Sequence, residues 1–523
     1  MATVAPPLSK RRKLEQSEKA RLQQEPQQIP NSVIRIRFFD RSTNEPVASS
    51  VSVPLPHASA VNLNSLINSL QGVDNAQDAI RYDISWEGTA AASTDGKTEG
   101  FTLSNNGDIY TTLVKPGKIK VEDELTLYIS PQAVFRVKAV SRCSSSISGH
   151  AQPILAAQFS PASGSRFATG SGDNNARIWD CDTGTPMHTL KGHTGWVLCI
   201  AWSPDNTILA TGSYDNTVRL WEGASGKPLG GALKGHTKFV RSLAWEPFHL
   251  QQQGRPRLAS SSKDGTVRIW DVVQRKMEFA LAGHKGSVSR VAWGGTGLLY
   301  TASHDITLKI WDSKEGRLLH TLSAHAHWVN HLALSTDSVL RTAFYQHASK
   351  PPSEYADRVA NARERFIKAA TISGRITERL VSASDDNVLY LWDPLSSNPT
   401  KPIATMRGHQ KPINHVTFSP DGQFIASASF DNSVKLWSAR DGSFVRTLRA
   451  HVAPVYMCVF SSDSRLLVSG SKDTTLKCWD VRSGDLVRDL PGHQDEVFAV
   501  DWSADGTFVG SGGKDKAVRL WRH

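Results

Sequence analysis

The sequence predicts a mainly β protein, in which a ring of repeated four-stranded units follows a small α+β domain. Two observations support this prediction. A phrase that ends in Trp recurs eight times over residues 150–523. The hundred residues before it instead alternate like strands around one amphipathic helix. Composition agrees, because 15 Trp and 38 Gly in 523 residues are typical of a recurring Trp-bearing unit.

The repeated phrase has three fixed positions. A Trp closes each copy, as in ARIWD and VRLWE, and an Asp stands six residues before it. A His precedes that Asp, by 21–28 residues in seven of the eight copies. The closing residues are Trp179, Trp221, Trp270, Trp311, Trp392, Trp437, Trp479 and Trp521. Most of them are 41–45 residues apart. This is the WD-repeat period, so we predict an eight-bladed WD-repeat β-propeller over residues 131–523.

Each copy predicts a buried set of hydrogen-bonded side chains. In the second copy the set is His193, Asp215, Trp221 and a strand hydroxyl, either Thr211 or Ser213. The same positions in the sixth copy are His409, Asp431 and Trp437. A buried carboxylate needs hydrogen-bond partners, which an imidazole and backbone N–H groups supply. A hydrolytic triad needs one exposed nucleophile rather than eight buried copies, so we assign these residues a structural role.

The two ends of the repeat array are expected to join. The last copy ends at His523 without an outermost strand, and a spare alternating segment at residues 134–140 precedes the first His. We predict that this segment completes the eighth blade and closes the ring. Two copies are longer than the others because they contain insertions. One insertion is residues 248–256, and the other is a helical insert at about 337–379. Both insertions are expected on the bottom face, the helical one either packed on its own blade or acting as a docking element.

Residues 31–130 predict a small α+β domain of the ubiquitin-like type. Alternating residues predict strands at 33–39 and 47–55. Leu63, Leu66, Ile67 and Leu70 lie on one face of a helix. Further strands are predicted at 80–86, near 109–114 and at 125–129. This order is that of a ubiquitin-like fold, although other small α+β folds share it.

Residues 1–30 are polar and contain several Gln and Pro, which predicts a disordered tail. Its basic cluster, Lys10, Arg11, Arg12 and Lys13, is typical of a nuclear import signal, the alternative being a solvated tail without function. No apolar run follows the cluster and no stretch is long enough to cross a bilayer. We therefore expect neither a secretory signal nor a membrane partner.

Charge differs between the two predicted domains. The chain carries a net charge of +11, yet residues 31–130 hold eight Lys/Arg against twelve Asp/Glu. The repeat array is therefore basic, which favours a phosphate-rich partner, with an unspecific solvated surface as the alternative. The sequence contains no cofactor fingerprint and no His/carboxylate cluster outside the repeats. We therefore expect a monomeric, non-enzymatic protein with no cofactor and no small-molecule substrate.

Several residues are candidates for contacts on the top face of the propeller. Trp196, Phe239 and Trp328 each directly precede the first strand of a copy. Such large aromatic side chains favour protein contacts. Basic residues over the third and fourth copies would meet RNA phosphates, and they are Lys238, Arg241, Lys263, Lys285 and Arg290. The alternative is that all of these are ordinary rim residues.

The chain resembles the Notchless family of ribosome assembly factors over nearly its whole length. The most specific stretches are PQAVFRV at 131–137, LKGH at 190–193, WVNHLALS at 328–335 and SGGKDK at 511–516. The resemblance implies an assembly factor of the large (60S) ribosomal subunit, located in the nucleolus and nucleoplasm. It implies that the propeller holds the pre-60S particle and that midasin, an AAA ATPase, grips the ubiquitin-like domain.

The resemblance also implies a metal-dependent contact. A carboxylate of the ubiquitin-like domain would complete the shell of a Mg²⁺ held by midasin, so no metal is expected in this chain alone. Glu122 best fits the family's loop Glu, with Glu124 as runner-up and Asp123 between them. Glu99 and Asp95 are more distant candidates. The alternative is a solvated acidic turn.

A different function class is a signalling or ubiquitin-ligase scaffold, in which the propeller reads peptides and the ubiquitin-like domain recruits ubiquitin machinery. The ubiquitin-like region has no Gly-Gly tail and runs directly into the repeats, which excludes conjugation. The basic repeat array and the import-like tail favour an RNA-rich particle instead.

Overall fold

The computed structural model describes residues 32–40, 46–70, 82–89, 98–102, 109–110, 114, 124–131, 137–345, 351–372 and 375–523. The chain divides into two compact units, Met1–Val134 and Phe135–His523. The predicted import cluster Lys10, Arg11, Arg12 and Lys13, together with Asp95, Glu122 and Asp123, lies outside the described residues.

In the residues that the structure describes, the first unit is a five-stranded sheet with an 11-residue helix packed on it. Across the sheet the strands run Val51–Pro54, Val33–Asp40, Glu124–Pro131, Tyr82–Thr89 and Thr98–Thr102. The first and last long strands pair in parallel at the centre. Helix α1 (Ala60–Leu70) buries Leu63 and Ile67 against Ile34 and Ile36. The predicted ubiquitin-like α+β fold is therefore confirmed.

One strand of this unit differs from the prediction. Ile109, Tyr110 and Val114 have helical backbone, and Ile109 is buried in the core. The strand predicted near 109–114 is therefore wrong. The strand that pairs with Tyr82–Thr89 is instead Thr98–Thr102, in a stretch rich in Gly, Ser and Thr. A short edge strand of this composition carries little apolar alternation, so periodicity does not reveal it.

The second unit is an eight-bladed β-propeller, as predicted. Blades 1 to 4 start with the first strands Ile154–Phe159, Val197–Trp202, Val240–Trp245 and Val288–Trp293. Blades 5 to 8 start with Val329–Leu334, Ile413–Phe418, Val455–Phe460 and Val497–Trp502. Each first strand is the edge of an antiparallel sheet and packs against the first strands of the two neighbouring blades, including blade 8 against blade 1. The eight first strands therefore line a central channel.

The second and third strands of each blade follow in sequence and carry most of the buried residues. The second strands are Arg166–Ser171, Ile208–Ser213, Arg257–Ser262, Leu298–Ser303, Leu380–Ser384, Phe424–Ser429, Leu466–Ser471 and Val509–Gly513. The third strands are Ala176–Asp180, Val218–Glu222, Thr266–Asp271, Leu308–Asp312, Val388–Trp392, Val434–Ser438, Thr475–Asp480 and Ala517–Arg522. The turn between them often needs a left-handed residue, such as Asn216 with φ 67°, a conformation that Asn tolerates.

The outer strands of blades 1 and 3 to 7 are Thr185–Leu190, Lys276–Ala282, Leu318–Leu322, Ala404–Arg407, Phe444–Leu448 and Leu486–Pro491. Blade 2 has only isolated bridges, Val218 with Leu233 and Trp221 with Pro228, at this position. Blade 8 takes its outer strand from the start of the unit, where Arg142–Ser148 pairs antiparallel with Ala517–Arg522. The ring therefore closes by joining its two ends.

The identity of the closing strand corrects the prediction, which assigned this role to residues 134–140. Val137 and Val140 form no strand but are buried beside Leu466 and Trp521. The Val137 N–H donates to the Asp463 carboxylate at 2.8 Å. The true closing strand is mostly polar because one side of an outer strand faces solvent, so the more apolar segment gave the stronger strand signal.

The two insertions pack together at the bottom of the propeller, the end at which the first strands finish. Helices α2 (Asp337–Thr342) and α3 (Tyr355–Ala370) and a short hairpin, Thr371–Ile372 with Arg375–Ile376, lie between the first two strands of blade 5. A helical turn, Phe248–Leu250, occupies the same place in blade 3. Phe248 contacts both Phe344 and Tyr355.

Helix α2 crosses the bottom of the channel. Arg341, on α2 of blade 5, donates to Asp501 of blade 8 at 2.9 Å and to the Phe159 carbonyl of blade 1 at 3.1 Å. Tyr345 donates to the Asp205 carbonyl after the first strand of blade 2. Blades 5 and 1 are opposite in a ring of eight, so the insert bridges the ring rather than packing only on its own blade. No helix of the described ranges is long and apolar enough to span a bilayer.

Candidate interaction surfaces

The conserved positions of the repeat form the same hydrogen-bond set in all eight blades. In blade 2, His193 Nδ1 lies 2.8 Å from Asp215 and His193 Nε2 lies 2.8 Å from Thr211 Oγ1. Trp221 Nε1 donates to the same hydroxyl at 2.9 Å. The hydroxyl partner is therefore Thr211, and Ser213 instead donates to the Gly195 carbonyl. In blade 6 the set is His409, Asp431, Ser427 and Trp437.

These sets are structural. Burial alone would raise the pKa of Asp173, but hydrogen bonds from His150 and the Ala151 N–H outweigh it and lower that pKa to about 2. The carboxylate is thus ionised and fully engaged in the fold. Thr169 is buried and its hydroxyl bonds both His150 and Trp179, so it has no room for a substrate. Eight such sets brace eight blades.

The top face, where the first strands begin, is built from two residues per blade. The residue before each first strand accepts a backbone hydrogen bond from the residue that precedes the framework Asp. Examples are Tyr214 N–H to the Trp196 carbonyl at 2.8 Å and Asp385 N–H to the Trp328 carbonyl at 3.0 Å. These paired positions place two side chains of each blade side by side on the surface.

An aromatic arc runs over blades 2 to 5 on this face. Trp196 is 56% exposed and its ring centroid lies 6.3 Å from that of Tyr214. Tyr214 stacks on Phe239 at 4.9 Å, and the Lys263 ammonium lies 5.1 Å over Phe239. Trp328, 49% exposed, stacks on His304 at 4.8 Å. The structure joins Trp196 and Phe239 through Tyr214, and it places Trp328 in a second group with His304.

Tyr214 and His304 belong to this arc although they were not predicted. Each immediately precedes a framework Asp, at Asp215 and Asp305. Of the residues at that position, only Lys263 was predicted, although the position reaches the same surface as the residue before the first strand. Examining the residue before each framework Asp is the signal that would have found them.

Charge on the top face is paired over some blades and unpaired over others. Over blades 7 and 8, Lys472 and Lys514 lie 3.5 and 3.9 Å from Glu496. Over blades 3 and 4, the exposed Lys238, Lys263 and Lys285 have no carboxylate within ion-pair distance in the described part of the chain. The unpaired positive charge of this face thus includes three lysines over blades 3 and 4.

The two predicted arginines lie deeper than the lysines. Arg241 follows Val240 on the first strand of blade 3, and its Nη1 is 3.5 Å from His304 Nε2 at the mouth of the channel. Arg290 is the third residue of the first strand of blade 4 and shares its surroundings with His331, His415 and Asp337. Arg290 therefore lines the channel rather than the rim, because the strand carries it inward from the top face.

In the first unit, the runner-up carboxylate can be placed. Glu124 is the first residue of the strand Glu124–Pro131, next to Arg35 in the parallel register, and is exposed. Glu99 lies in the edge strand Thr98–Thr102. Within the described ranges, no group of three His, Cys, Asp or Glu side chains is placed to hold a metal ion.

Comparison with known proteins defines the family. Seven segments match the WD domain, G-beta repeat family, at residues 141–180, 184–222, 226–271, 275–312, 400–438, 442–480 and 484–522. The stretch 313–399, which holds the helical insert and the first three strands of blade 5, is outside these segments. A crystal structure of the computationally designed Ika8 protein aligns with a TM-score of 0.57 and 25% identity, covering 73% of this chain and 100% of that one.

Curated relatives extend the match to both units. Ribosome assembly protein 4 of Chaetomium thermophilum is 54% identical, covering 85% of this chain and 85% of the relative. The protein of the same name in Saccharomyces cerevisiae is 51% identical with the same coverage. The Notchless protein homolog of Arabidopsis thaliana is 48% identical over 64% of this chain and 69% of its own length. The chain belongs to the ribosome assembly protein 4/Notchless family of WD-repeat proteins.

Proposed function

We propose that this chain is a non-enzymatic assembly factor of the large (60S) ribosomal subunit. The observation that carries the proposal is the identity of 54% and 51% with two proteins named ribosome assembly protein 4, each over 85% of both sequences. The fold is consistent with a scaffold, because the Ser/Thr, His and Asp side chains of each set hydrogen-bond one another within their blade.

The propeller is proposed to dock on the pre-60S particle through its top face. The unpaired lysines over blades 3 and 4 suit rRNA phosphates, which bind Lys as a point charge. The aromatic arc beside them suits a ribosomal protein or an exposed base. Both features lie on adjacent blades, so one particle surface would meet them together.

The ubiquitin-like unit is proposed to be gripped by the AAA ATPase midasin. A carboxylate from this unit would complete the oxygen shell of a Mg²⁺ belonging to midasin, since Mg²⁺ prefers carboxylate oxygen. The acidic run 122–124 leads directly into the strand that begins at Glu124, and the exposure of Glu124 supports an accessible carboxylate there. Glu122 remains our proposed ligand, with Glu124 as the alternative.

The proposed site of action is the nucleus, in the nucleolus and nucleoplasm. The basic cluster Lys10, Arg11, Arg12 and Lys13 supports import. Ribosome precursors of the large subunit are the proposed partner at that location.

The proposed docking surface on the top face can be tested by comparing two double variants. One removes two lysines over blades 3 and 4, and the other removes two lysines over blades 7 and 8. Lys238→Ala/Lys285→Ala is expected to weaken binding of the full chain to purified pre-60S particles by about tenfold and to lower the salt dependence by about two charges. The matched control is Lys472→Ala/Lys514→Ala, which removes two lysines that are already paired with Glu496. The control is expected to bind within about twofold of the wild type.

The same assay separates this function from a signalling or ubiquitin-ligase scaffold. If the chain is purified from cells and no large-subunit rRNA precursor is bound to it, the assembly function is contradicted. Equal binding by both double variants would instead contradict the top-face assignment while leaving the particle as the partner.

A further inference from the structure

The third residue of each first strand lies at one level of the propeller. The register of the first strand shifts at the same point in every blade, as between Val288 and Arg290, so these residues come to one level. The eight residues are Ala156, Cys199, Ser242, Arg290, His331, His415, Met457 and Ala499. Blades 4 to 6 thus place one guanidinium and two imidazoles beside each other, facing five uncharged side chains.

All three side chains keep polar atoms that the fold does not pair, although His331 makes one backbone hydrogen bond, to Val416. The His331 and His415 rings are 4.2 Å apart, and the Nδ1 atom of each is buried without a hydrogen-bond partner. Arg290 makes no hydrogen bond or ion pair within the described ranges. The Arg290 side chain has protein atoms on all sides, but it remains exposed to solvent. This combination is expected in a narrow channel. Unpaired buried ring nitrogens of this kind need an explanation.

Helix α2 crosses the bottom of the channel, held by Arg341 to blades 8 and 1. Glu378 fixes the insert further, since it accepts from the Thr336 hydroxyl at 2.6 Å and from the Gly295 N–H at 2.9 Å. A small solute would therefore reach the three basic side chains, in the recess above helix α2, from the top face.

We propose that this recess binds a small oxyanion of the phosphate class between Arg290, His331 and His415. A guanidinium and two imidazole N–H groups are donors that match tetrahedral oxyanions. The fixed positive charge of Arg290 disfavours a metal cation at the two histidines. The inference does not depend on the proposed role in ribosome assembly.

Binding at this site is linked to protons. Burial, followed by the charges of the neighbouring His415 and Arg290, lowers the pKa of His331 well below its usual range. Burial and Arg290 lower that of His415 to about 3. Both rings are therefore neutral without a ligand. An anion raises these pKa values toward the solution range, so it binds with proton uptake and more tightly as pH falls.

Two further titratable groups interact with Arg290, and neither reverses this sign. Burial raises the pKa of the Cys199 thiol to about 12, so it stays neutral. Burial raises the pKa of Asp337, on α2, to about 6 despite the Leu334 N–H and Arg290, with Glu378 adding to the rise. Protonation of Asp337 at lower pH removes a competing negative charge, which also favours the anion at lower pH.

The test is calorimetric titration of the full chain with sulfate, which stays doubly charged from about pH 8 to about pH 6. The wild type is expected to bind one sulfate, at least about threefold more tightly at the lower pH, with proton uptake measured from two buffers. Arg290→Gln is expected to bind at least about tenfold more weakly, the effect of losing one charge-assisted hydrogen bond. Orthophosphate is expected to compete with sulfate.

The matched control is Arg482→Gln, which removes one charge from an exposed turn and is expected to bind as the wild type does. His415→Asn keeps Arg290 and is expected to reduce the pH dependence, which provides a second variant if Arg290→Gln unfolds. No saturable sulfate binding by the wild type, or equal binding by Arg290→Gln and Arg482→Gln, would overturn the proposal.

Discussion

The Glu122→Asp variant is expected to lose Mg²⁺-dependent capture by the adhesion domain of midasin. The substitution keeps the charge but withdraws the carboxylate oxygens by about one methylene, and Mg²⁺ requires oxygen ligands at about 2.1 Å in octahedral geometry. Binding of the full chain, measured by pull-down in Mg²⁺ and in EDTA, is expected to fall at least about 100-fold for the variant in Mg²⁺. The wild type is expected to bind only in Mg²⁺.

The chain supplies a matched control two residues away. Glu124→Asp makes the same change at an exposed carboxylate at the start of the last strand of the unit and is expected to bind as the wild type does. If Glu124→Asp loses binding and Glu122→Asp retains it, Glu124 is the ligand. A wild type that fails to bind in Mg²⁺ would contradict the midasin contact altogether.

The Trp521→Ala variant is expected to show the largest loss of stability. Trp521 is 1% exposed, donates to Ser511 at 2.9 Å and lies on the strand that pairs with the closing strand Arg142–Ser148. Truncating a buried Trp costs about 3–5 kcal/mol. Here it also weakens the blade that closes the ring. We expect the thermal unfolding midpoint of the propeller to fall by about 5–10 °C.

The control for this effect is Phe444→Ala, on an outer strand of blade 6. Phe444 is 54% exposed, so removing its ring is expected to shift the midpoint by no more than about 2 °C. Equal midpoints for Trp521→Ala and the wild type would mean that closure of the ring does not depend on the packing of the eighth blade.

The propeller could be predicted from the sequence because its framework residues recur at a fixed spacing that is typical of WD-repeat blades. A buried Asp such as Asp431 must be paired, so His409 and Trp437 recur at fixed spacing and mark each blade. The closing strand was misplaced because pairing in an outer strand depends on backbone hydrogen bonds, which polar residues at 142–148 supply as well as apolar ones. Burial of Val137 and Val140 has a different cause, their packing beneath blades 7 and 8.

The contacts that join distant blades were beyond sequence reasoning. Arg341 reaches Asp501 across 160 residues, and nothing in the helical pattern of the insert indicates that partner. The cluster of Arg290, His331 and His415 likewise requires three separate strands to share one register shift. Trp196, Phe239 and Trp328 were predictable, since their position before each first strand is fixed by the repeat. The contact of Tyr214 with Phe239 depends instead on the packing of two neighbouring blades.

The most direct test of the account is release from purified pre-60S particles. Particles that carry either the wild type or Glu122→Asp would be incubated with midasin and ATP, and the chain that remains bound would be measured after sedimentation. We expect the wild type to leave the particle and Glu122→Asp to stay on it, because the propeller still docks while the grip is lost. Release of both proteins to the same extent, or retention of both, would contradict the proposal that midasin acts on this chain through Glu122.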